Sequence, residues 1–564
     1  MDSNNESIFK KYFSPESLRL AWERMVRSNG KDAKDFFGID IYASNLDKNL
    51  TLLSEAIIKG EFKPQRPFKY YEPKASKTHR TKSVLSIEDS LVYQAIANTV
   101  ATANYKRLAE NNSFVFGSVL HPEVEKGNEL LNDDEADFYF FEYYIPLYNK
   151  FINSVNTEID NTNIRFKLET DITGFFDCIP HSKLLITLHK FGVEPEILDL
   201  LVDCLNLYSG TKESVTPGVG IPQGAAASFF FANVFLNDLD YLISQNGYTY
   251  YRYMDDIRIY EETEEKLTEV LVLIDNYLKG RALSLNTKKT SIEEISEDRE
   301  SEKLPLLAGY GQELLEEYEI KKPNKEKQDY LNEQNPDNEQ SKKYIVKTIE
   351  GDELIKFCKK DIKEAEEFLL NKFKDIEKTN FNARTLANDE ELKKQIIHIA
   401  YKWRSANSIL KTENRPILNE KLIPIWLFCA EHFFWKANHF CWNLNQYGAN
   451  NLITQKLNEL IPKFKSFEWV RYQILSNMAN VQNFNSSELR EIFRKAKEET
   501  SGLVRLGYYM ILIKHLKSDH QLFASLRQAI RDDKEPYIKN RLSSYISRQT
   551  GSEKINEIKY WFGL

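Results

Sequence analysis

The stretch YTYYRYMDDIRIY, residues 248–260, decides the fold. Tyr and Ile recur on both sides of a two-residue acidic tip, Asp255-Asp256, and this pattern predicts a β-hairpin. Adjacent carboxylates at a tight tip repel each other unless a cation neutralises them, and Mg²⁺ is the natural hard-oxygen partner. An isolated Asp-Asp pair is more often a solvated turn, so its company decides the reading. Upstream, IRFKLETDI (164–172) alternates apolar and polar residues, delivers Asp171 at its end and then meets Thr173-Gly174, as a second strand would. Between the two lies Gly220-Ile-Pro-Gln-Gly224, leading into a helical run that carries Ser228 and Asn233. Carboxylates from neighbouring strands can hold two ions that activate an attacking hydroxyl and stabilise a leaving pyrophosphate.

The rest of the chain sorts around this centre. Pro15 to Lys59 reads as two or three short helices. The extended stretch from Lys59 to Lys82 holds eight Lys/Arg against two Glu, and SIEDSLVYQAIANTVATANYKRLAE then takes helical period. Residues 123–142 reverse the sign, with eight acids and one Lys. Helical stretches are expected around 182–208, 225–245 and 264–280. Acidic and Lys-rich sequence from 291 to 345 reads as an exposed connector, and only helical periodicity follows from about 346. The expected division is an N-terminal extension with its basic stretch and acidic, aromatic insertion over 1–165, an α+β region with the acidic elements over 166–300, a connector over 301–345 and a helical region over 346–564.

Composition bounds the function. The 564 residues carry 76 Lys/Arg and 84 Asp/Glu, a formal charge of −8, which argues against nucleic-acid binding through overall basicity but leaves room for local basic grooves. Gly (21) and Pro (17) are sparse, so a helix-rich chain is expected. The five cysteines form no C-x-x-C pair, which speaks against a zinc ribbon or disulfide framework and for a reducing cytoplasm. MDSNNESIFKKYF lacks the apolar run of a signal peptide. Ser214 to Asn237 is uncharged and long enough to cross a bilayer, but Pro217, Gly218, Gly220, Pro222 and Gly224 break its first half. A buried turn entering a core helix, with no membrane partner, is the better reading.

Taken in order, D-x-x-x-F-F-D from Asp171, P-Q-G-x-x-x-S from Pro222 and Y-M-D-D from Tyr253 resemble motifs A, B and C of the reverse transcriptase palm. PKASKTHRTKSVLSIEDSLVYQAI resembles the fingers of group II intron and retron-type enzymes, and LSLNTKKTSI resembles motif D. The resemblance covers roughly residues 10–300. It implies an α+β fold: right-hand polymerase fingers and palm, built of antiparallel sheet with helices, then an all-helical thumb and a repeat-like C-terminal helical domain. It implies Asp171, Asp255 and Asp256 as catalytic metal ligands, with the Ile172 carbonyl as a further ligand, for two Mg²⁺ ions or Mn²⁺ in their place. Lys74 and Arg80 would lie against the incoming triphosphate, where Arg supplies bidentate contacts and Lys a point charge. Phe176, five residues after Asp171, would be the aromatic gate that rejects a 2′-hydroxyl, with Phe175 in the core on the other face if the strand persists. Gln223 and Gly224 would approach nucleotide and template, Met254 the primer terminus and Tyr253 the primer backbone. Lys289, with Lys288 the alternate, would protonate pyrophosphate. Asp177 has no carried-over role, and His181 and His189 read as ordinary helix-face residues.

The acidic, aromatic insertion before motif A and the all-helical C-terminal third look like the abortive-infection and unknown-group reverse transcriptases of anti-phage defence. The expected function is RNA-directed DNA synthesis from dNTPs on a partner non-coding RNA. The alternatives are template-independent or protein-primed DNA synthesis at the same site, and a non-catalytic nucleic-acid-binding scaffold. A homo-oligomer or a second defence protein is a further expected partner. Residues 501–564, with 11 Lys/Arg, six acids and interleaved aromatics, could hold structured RNA or product strand, or serve as a plain packing surface.

Overall fold

Short helices at Ser3–Phe13 (α1), Pro15–Ser28 (α2), Ile39–Ala43 (α3) and Leu46–Ile58 (α4) open the chain, followed by a hairpin of Phe68–Pro73 (β1) and His79–Val84 (β2). Next come helices Ile87–Ala103 (α5), Tyr105–Ala109 (α6) and Tyr144–Asp160 (α7), with two 3₁₀ segments between the last two. Strand Phe166–Asp171 (β3) leads through Phe175–Cys178 (α8), His181–Lys190 (α9), Pro195–Tyr208 (α10) and Ala226–Gln245 (α11) to Thr249–Tyr253 (β4) and Asp256–Glu261 (β5). Glu264–Gly280 (α12), Ser291–Glu294 (β6) and Arg299–Glu302 (α13) complete the α+β part. The computed structural model describes residues 3–28, 39–134, 136–304, 351–374, 390–412, 416–481, 484–515 and 520–547. The expected connector therefore lies outside the described residues from 305 onward, as does the end of the basic tail from 548.

The expected antiparallel sheet forms with strand order β4-β5-β3-β6. Side chains alternate across it. Leu168 of β3 and Ile257 and Ile259 of β5 enter the main core, against α11 and α12. Tyr260 faces the other way, into a smaller cluster with Phe151, Ile152 and Val155 of α7. That aromatic insertion helix thus covers the second face of the sheet. β6 is the strand that periodicity missed, because SIEE is four residues long and presents two exposed glutamates.

α5 explains why SIEDSLVYQAI opens as it does. The Ser86 hydroxyl caps it by accepting from the Asp89 amide at 3.0 Å. The buried Asp89 carboxylate accepts from Gln65 N–H at 3.2 Å and from Tyr208 O–H at 2.7 Å, tying the approach to β1 to α10. The uncharged stretch is a loop followed by α11, buried almost all round, and among the described residues no helix is long and apolar enough to cross a membrane.

Among the described residues ten further helices follow: Gly351–Lys372 (α14), Glu390–Thr412 (α15), Ile423–His432 (α16), Ala437–Asn445 (α17), Asn451–Lys463 (α18), Glu468–Val481 (α19), Ser486–Glu498 (α20), Gly502–His515 (α21), His520–Arg531 (α22) and Pro536–Ser547 (α23). α14 packs on α15, α16 on α17, and α19 on both α17 and α21, the serial stacking of a helical array. The chain divides into two compact units, one of Met1–Tyr71, Arg80–Leu307 and Arg527–Leu564, the other of Glu72–His79 and Ala308–Leu526.

Candidate active site

Strand register builds the site. β3 runs antiparallel to β5 with Asp171 directly opposite Asp256, and β4 meets β5 at the Tyr253–Asp256 pair, leaving Met254 and Asp255 as a two-residue turn. Like charges directly opposite across a ladder are unfavourable. The sheet therefore concentrates three carboxylates, Asp171, Asp255 and Asp256, at one strand end. Burial first, and then the Asp171 charge, push the Asp255 carboxyl up to about 6. Asp256 is also raised, by burial, against the opposing pull of Arg258.

Cations already attend this cluster. Lys289 donates to Asp171 Oδ2 at 2.9 Å, beside Asn286, which reaches the same oxygen at 3.2 Å. Arg258 Nε lies 3.6 Å from Asp256 Oδ1 while its Nη1 binds Glu169 at 2.9 Å. Lys288 and Lys289 are both exposed, and it is Lys289 that reaches the carboxylates. Among the described residues no three His, Cys, Asp or Glu side chains are gathered tightly enough to cage a metal. The donor chemistry nonetheless fits a hard divalent cation, since three carboxylates meet at one strand end and two of them are held above their ordinary pKa, by burial first and then by neighbouring like charge. Ile172, whose carbonyl was expected as a ligand, is buried and bridged to Leu285.

The turn that carries Asp255 is held from behind. Met254 has φ of +56°, a left-handed conformation that costs a non-glycine residue about 1–2 kcal/mol. Arg252 Nη1 donates to the Met254 carbonyl at 2.8 Å and to Asn233 Oδ1 at 3.0 Å. The same guanidinium grips Asp240 with Nε at 2.7 Å and Nη2 at 2.6 Å, and Tyr250 O–H adds a bond to Asp240 at 2.8 Å. Asn233 in turn donates to the Gly117 carbonyl at 2.6 Å. Segment 114–116 runs alongside β4, with Phe116 N–H to Arg252 O at 2.9 Å and Arg252 N–H to Phe114 O at 2.8 Å. Gly117 then passes so close that a Cβ there would sit 2.5 Å from the Met254 nitrogen. Met254 is only 9% exposed, packed against this segment. Sequence reading named Asn233 only as a residue of the helical run after the P-Q-G loop and missed Arg252, Asp240 and Gly117. The one signal at Arg252 and Asp240 was charge inside largely apolar elements, and Gly117 carried none.

The P-Q-G loop is sewn to the end of motif A. Ile221 N–H binds Phe176 O at 2.8 Å, and Gly220 N–H binds Ile179 O at 2.8 Å. His181, expected to be an ordinary helix-face residue, is 1% exposed and bonds to the Gly220 carbonyl through Nε2 at 2.6 Å. It positions the loop rather than decorating a helix. Ser83 N–H of β2 donates to Gln223 O at 2.9 Å. At Gly224, with φ of +137°, a Cβ would meet the Ser83 carbonyl at 2.9 Å, so only glycine fits comfortably.

The remaining expected residues divide. β3 ends at Asp171 and the chain turns at Thr173-Gly174 into α8, so the strand does not persist to Phe175, which is nonetheless in the core as expected. Both rings are buried on a helical turn, Phe176 edge-on to Phe229 with centroids 5.2 Å apart. Tyr253 packs edge-on to Tyr148 at 5.2 Å, and burial raises its hydroxyl to about 12. Lys74 and Arg80 stand exposed on the β1–β2 hairpin, which turns over Lys74–Thr78.

Residues 73–331 match the family model described as reverse transcriptase (RNA-dependent DNA polymerase). The chain contains a reverse transcriptase domain. A retron Ec86 reverse transcriptase from Escherichia coli is 26% identical over 149 residues, which cover 26% of this chain and 43% of that relative. The chain thus matches less than half the length of that relative. Among solved structures, the domain's neighbours include a Candida tropicalis telomerase in complex with a telomeric RNA fragment, at 11% identity and TM-score 0.31, covering 74% of this chain and 67% of that one. A Candida albicans telomerase complex is 11% identical with TM-score 0.28, covering 88% and 66%.

Proposed function

We propose that this chain is an RNA-directed DNA polymerase that extends a primer with dNTPs at Asp171, Asp255 and Asp256, and that it works in anti-phage defence with a partner non-coding RNA. The observation that carries the chemistry is the cross-strand Asp171–Asp256 pair beside Asp255. Such a cluster is costly as a structural element and useful as a cation trap. When bound, divalent cations supply neutralisation and Lewis acidity for in-line phosphoryl transfer.

The chain's own residues do the rest. In the reaction the primer 3′-oxygen bonds to the α-phosphorus, the bond to pyrophosphate breaks, and the hydroxyl proton leaves to solvent or base. Lys289 gives a proton to the departing pyrophosphate, a role supported by its reach to the carboxylates at Asp171. Phe176, fixed by Phe229 and by the Ile221 bond to its carbonyl, forms a stiff wall suited to rejecting a 2′-hydroxyl. Gln223 and Gly224 present backbone to nucleotide and template, Tyr253 and Met254 bear on the primer end, and Lys74 and Arg80 meet the triphosphate. The defence role is supported by the aromatic insertion helix and the long helical region beyond the domain.

The test is to purify the protein from cells, sequence any bound RNA and attached DNA, and compare Asp255→Ala/Asp256→Ala. DNA that matches a co-purified RNA is expected from the wild type alone. No DNA under any dNTP condition sinks the polymerase reading, and DNA matching no RNA replaces it with template-independent synthesis.

A further inference from the structure

Among the described residues two arginines are sealed from solvent, Arg252 of β4 at 1% exposed and Arg24 of α2 at 0%. Arg252 is matched: the edge formed by its Nε and Nη2 clasps both oxygens of Asp240, at 2.7 and 2.6 Å. In Arg24 that same edge meets no acceptor, since neither Nε nor Nη2 has a hydrogen-bond partner. The guanidinium has one bond, from Nη1 to Asn98 Oδ1 of α5 at 3.0 Å, and its carbon lies 5.4 Å from the centre of the Phe140 ring.

The orphaned atoms of this cluster are all donors. A guanidinium has nothing to accept with, so the Asn98 atom that meets it is the amide oxygen, which also accepts from Gln94 Nε2 at 3.0 Å. The buried Asn98 Nδ2 is thereby turned away and has no acceptor of its own. The acids of the two helices are placed elsewhere. Glu23 of α2 is engaged by Arg27 at 2.5 Å and by Arg19 at 3.4 Å, Asp89 of α5 accepts from Ser86, Gln65 and Tyr208, and Glu16 and Glu88 are exposed. Burial draws the Arg24 guanidinium down to about 9, with no neighbouring carboxylate to raise it, so the charge remains at neutral pH. A buried charge without a counter-charge is among the costliest features a fold can hold, and one cation–π contact offsets little of it.

We propose that Arg24 and Asn98 form a buried binding site for a small monovalent anion, held by the Nε–Nη2 edge of Arg24 and by Asn98 Nδ2. Three donor groups, one positive charge and no orphaned acceptor suit a halide or a carboxylate the size of formate. Water could take the hydrogen bonds but would leave the charge unmatched. The anion joins α2 to α5, which pack on each other. α5 also carries Tyr93, whose hydroxyl lies 3.1 Å from that of Ser228 in α11, so the site braces a helix that bears on the one following the P-Q-G loop.

The test uses the full chain in gluconate, a carboxylate too bulky for a sealed site, with chloride, bromide or formate exchanged in at constant ionic strength. The readouts are the melting temperature and the protein-dependent broadening of the ³⁵Cl NMR line. A small anion is expected to raise the melting temperature saturably, by about 2 °C or more at 100 times its Kd. A response to chloride and bromide, with the broadening displaced by bromide, assigns a halide, and a response to formate alone assigns a carboxylate. Asn98→Asp sets a carboxylate beside Arg24 in the same shape. In gluconate it is expected to be at least as stable as the anion-loaded wild type and to respond to no anion. Arg24→Met, which removes the charge, is expected to lose the responses too. Equal melting temperatures of the wild type in all four salts would overturn the proposal. So would an anion response kept at full size in Asn98→Asp, or an Asn98→Asp protein less stable in gluconate than the wild type, since either shows that Arg24 does not call for an anion.

Discussion

The two sides of the β4–β5 hairpin are built on opposite principles. In front, Asp171, Asp255 and Asp256 crowd together with more negative charge than Lys289 and Arg258 return, and two of the three are held above their ordinary pKa. Behind, Arg252 is nearly sealed from solvent, yet its guanidinium is matched by Asp240, Asn233 and the Met254 carbonyl. The back is satisfied so that the front can remain unsatisfied. A strained, positive-φ turn bearing a charged cluster persists only when surrounding structure fixes it.

The sharpest way to break this contrast is to disarm each side in turn. Asp255→Asn/Asp256→Asn removes the charge that the proposed chemistry needs. DNA synthesis should fall by about 10³-fold or more, as expected when electrostatic stabilisation of the transition state is lost, and the melting temperature should hold steady or rise. A large drop in melting temperature would mean that the acids are structural. Arg252→Ala does the reverse. It strands Asp240 in the core and should cost about 3–5 kcal/mol in denaturant unfolding. A cost below about 1 kcal/mol would show that the network carries little of the turn's stability.

What was legible in the sequence follows the same divide. The front is written locally: Asp171 ends an alternating strand, Asp255-Asp256 tips a hairpin, and the P-Q-G run interrupts an uncharged stretch, so short windows sufficed. Lys289 was reachable by resemblance because it lies close in sequence to the sheet that it serves. The back is written across distance. Arg252, Asp240, Asn233 and Gly117 come from three segments, β4, α11 and the stretch at 114–117, and no short window contains the reason for any of them. His181 was misjudged for the same cause, since its partner Gly220 is 39 positions away. Alternation stops at Thr173-Gly174, where the backbone turns into α8, so which way Phe175 and Phe176 face is set by that helical turn and not by strand period. The −8 of the whole chain is likewise a sum over unlike regions, among them the basic stretch from Lys59 to Lys82 and the acidic one from 123 to 142.

Two smaller changes probe how the sides are joined. Gly117→Ala puts a methyl 2.5 Å from the Met254 nitrogen, so backbone must move. The expected cost is about 1–3 kcal/mol, typical of overpacking, together with a rise in the Mg²⁺ concentration needed for half-maximal synthesis, because the turn bearing Asp255 shifts. Loss of stability without any change in Mg²⁺ requirement would uncouple segment 114–117 from the site.

Lys289→Ala acts on the front alone and should move stability least. Its side chain is 63% exposed, and an exposed ion pair contributes about 0–1 kcal/mol. Its effect belongs to function, where two roles pull apart. As the partner of Asp171 the ammonium competes with cations for that oxygen, so its removal should lower the Mg²⁺ concentration at half-maximal rate. As the proton donor to pyrophosphate it aids the chemical step, so its removal should slow single-turnover incorporation by about 10²-fold at saturating Mg²⁺. Lys289→Arg separates the two, because a guanidinium can pair with Asp171 but does not readily give up a proton. The arginine variant should keep the wild-type Mg²⁺ requirement and stay slow. If it is as fast as wild type, Lys289 is an electrostatic partner of Asp171 and not an acid.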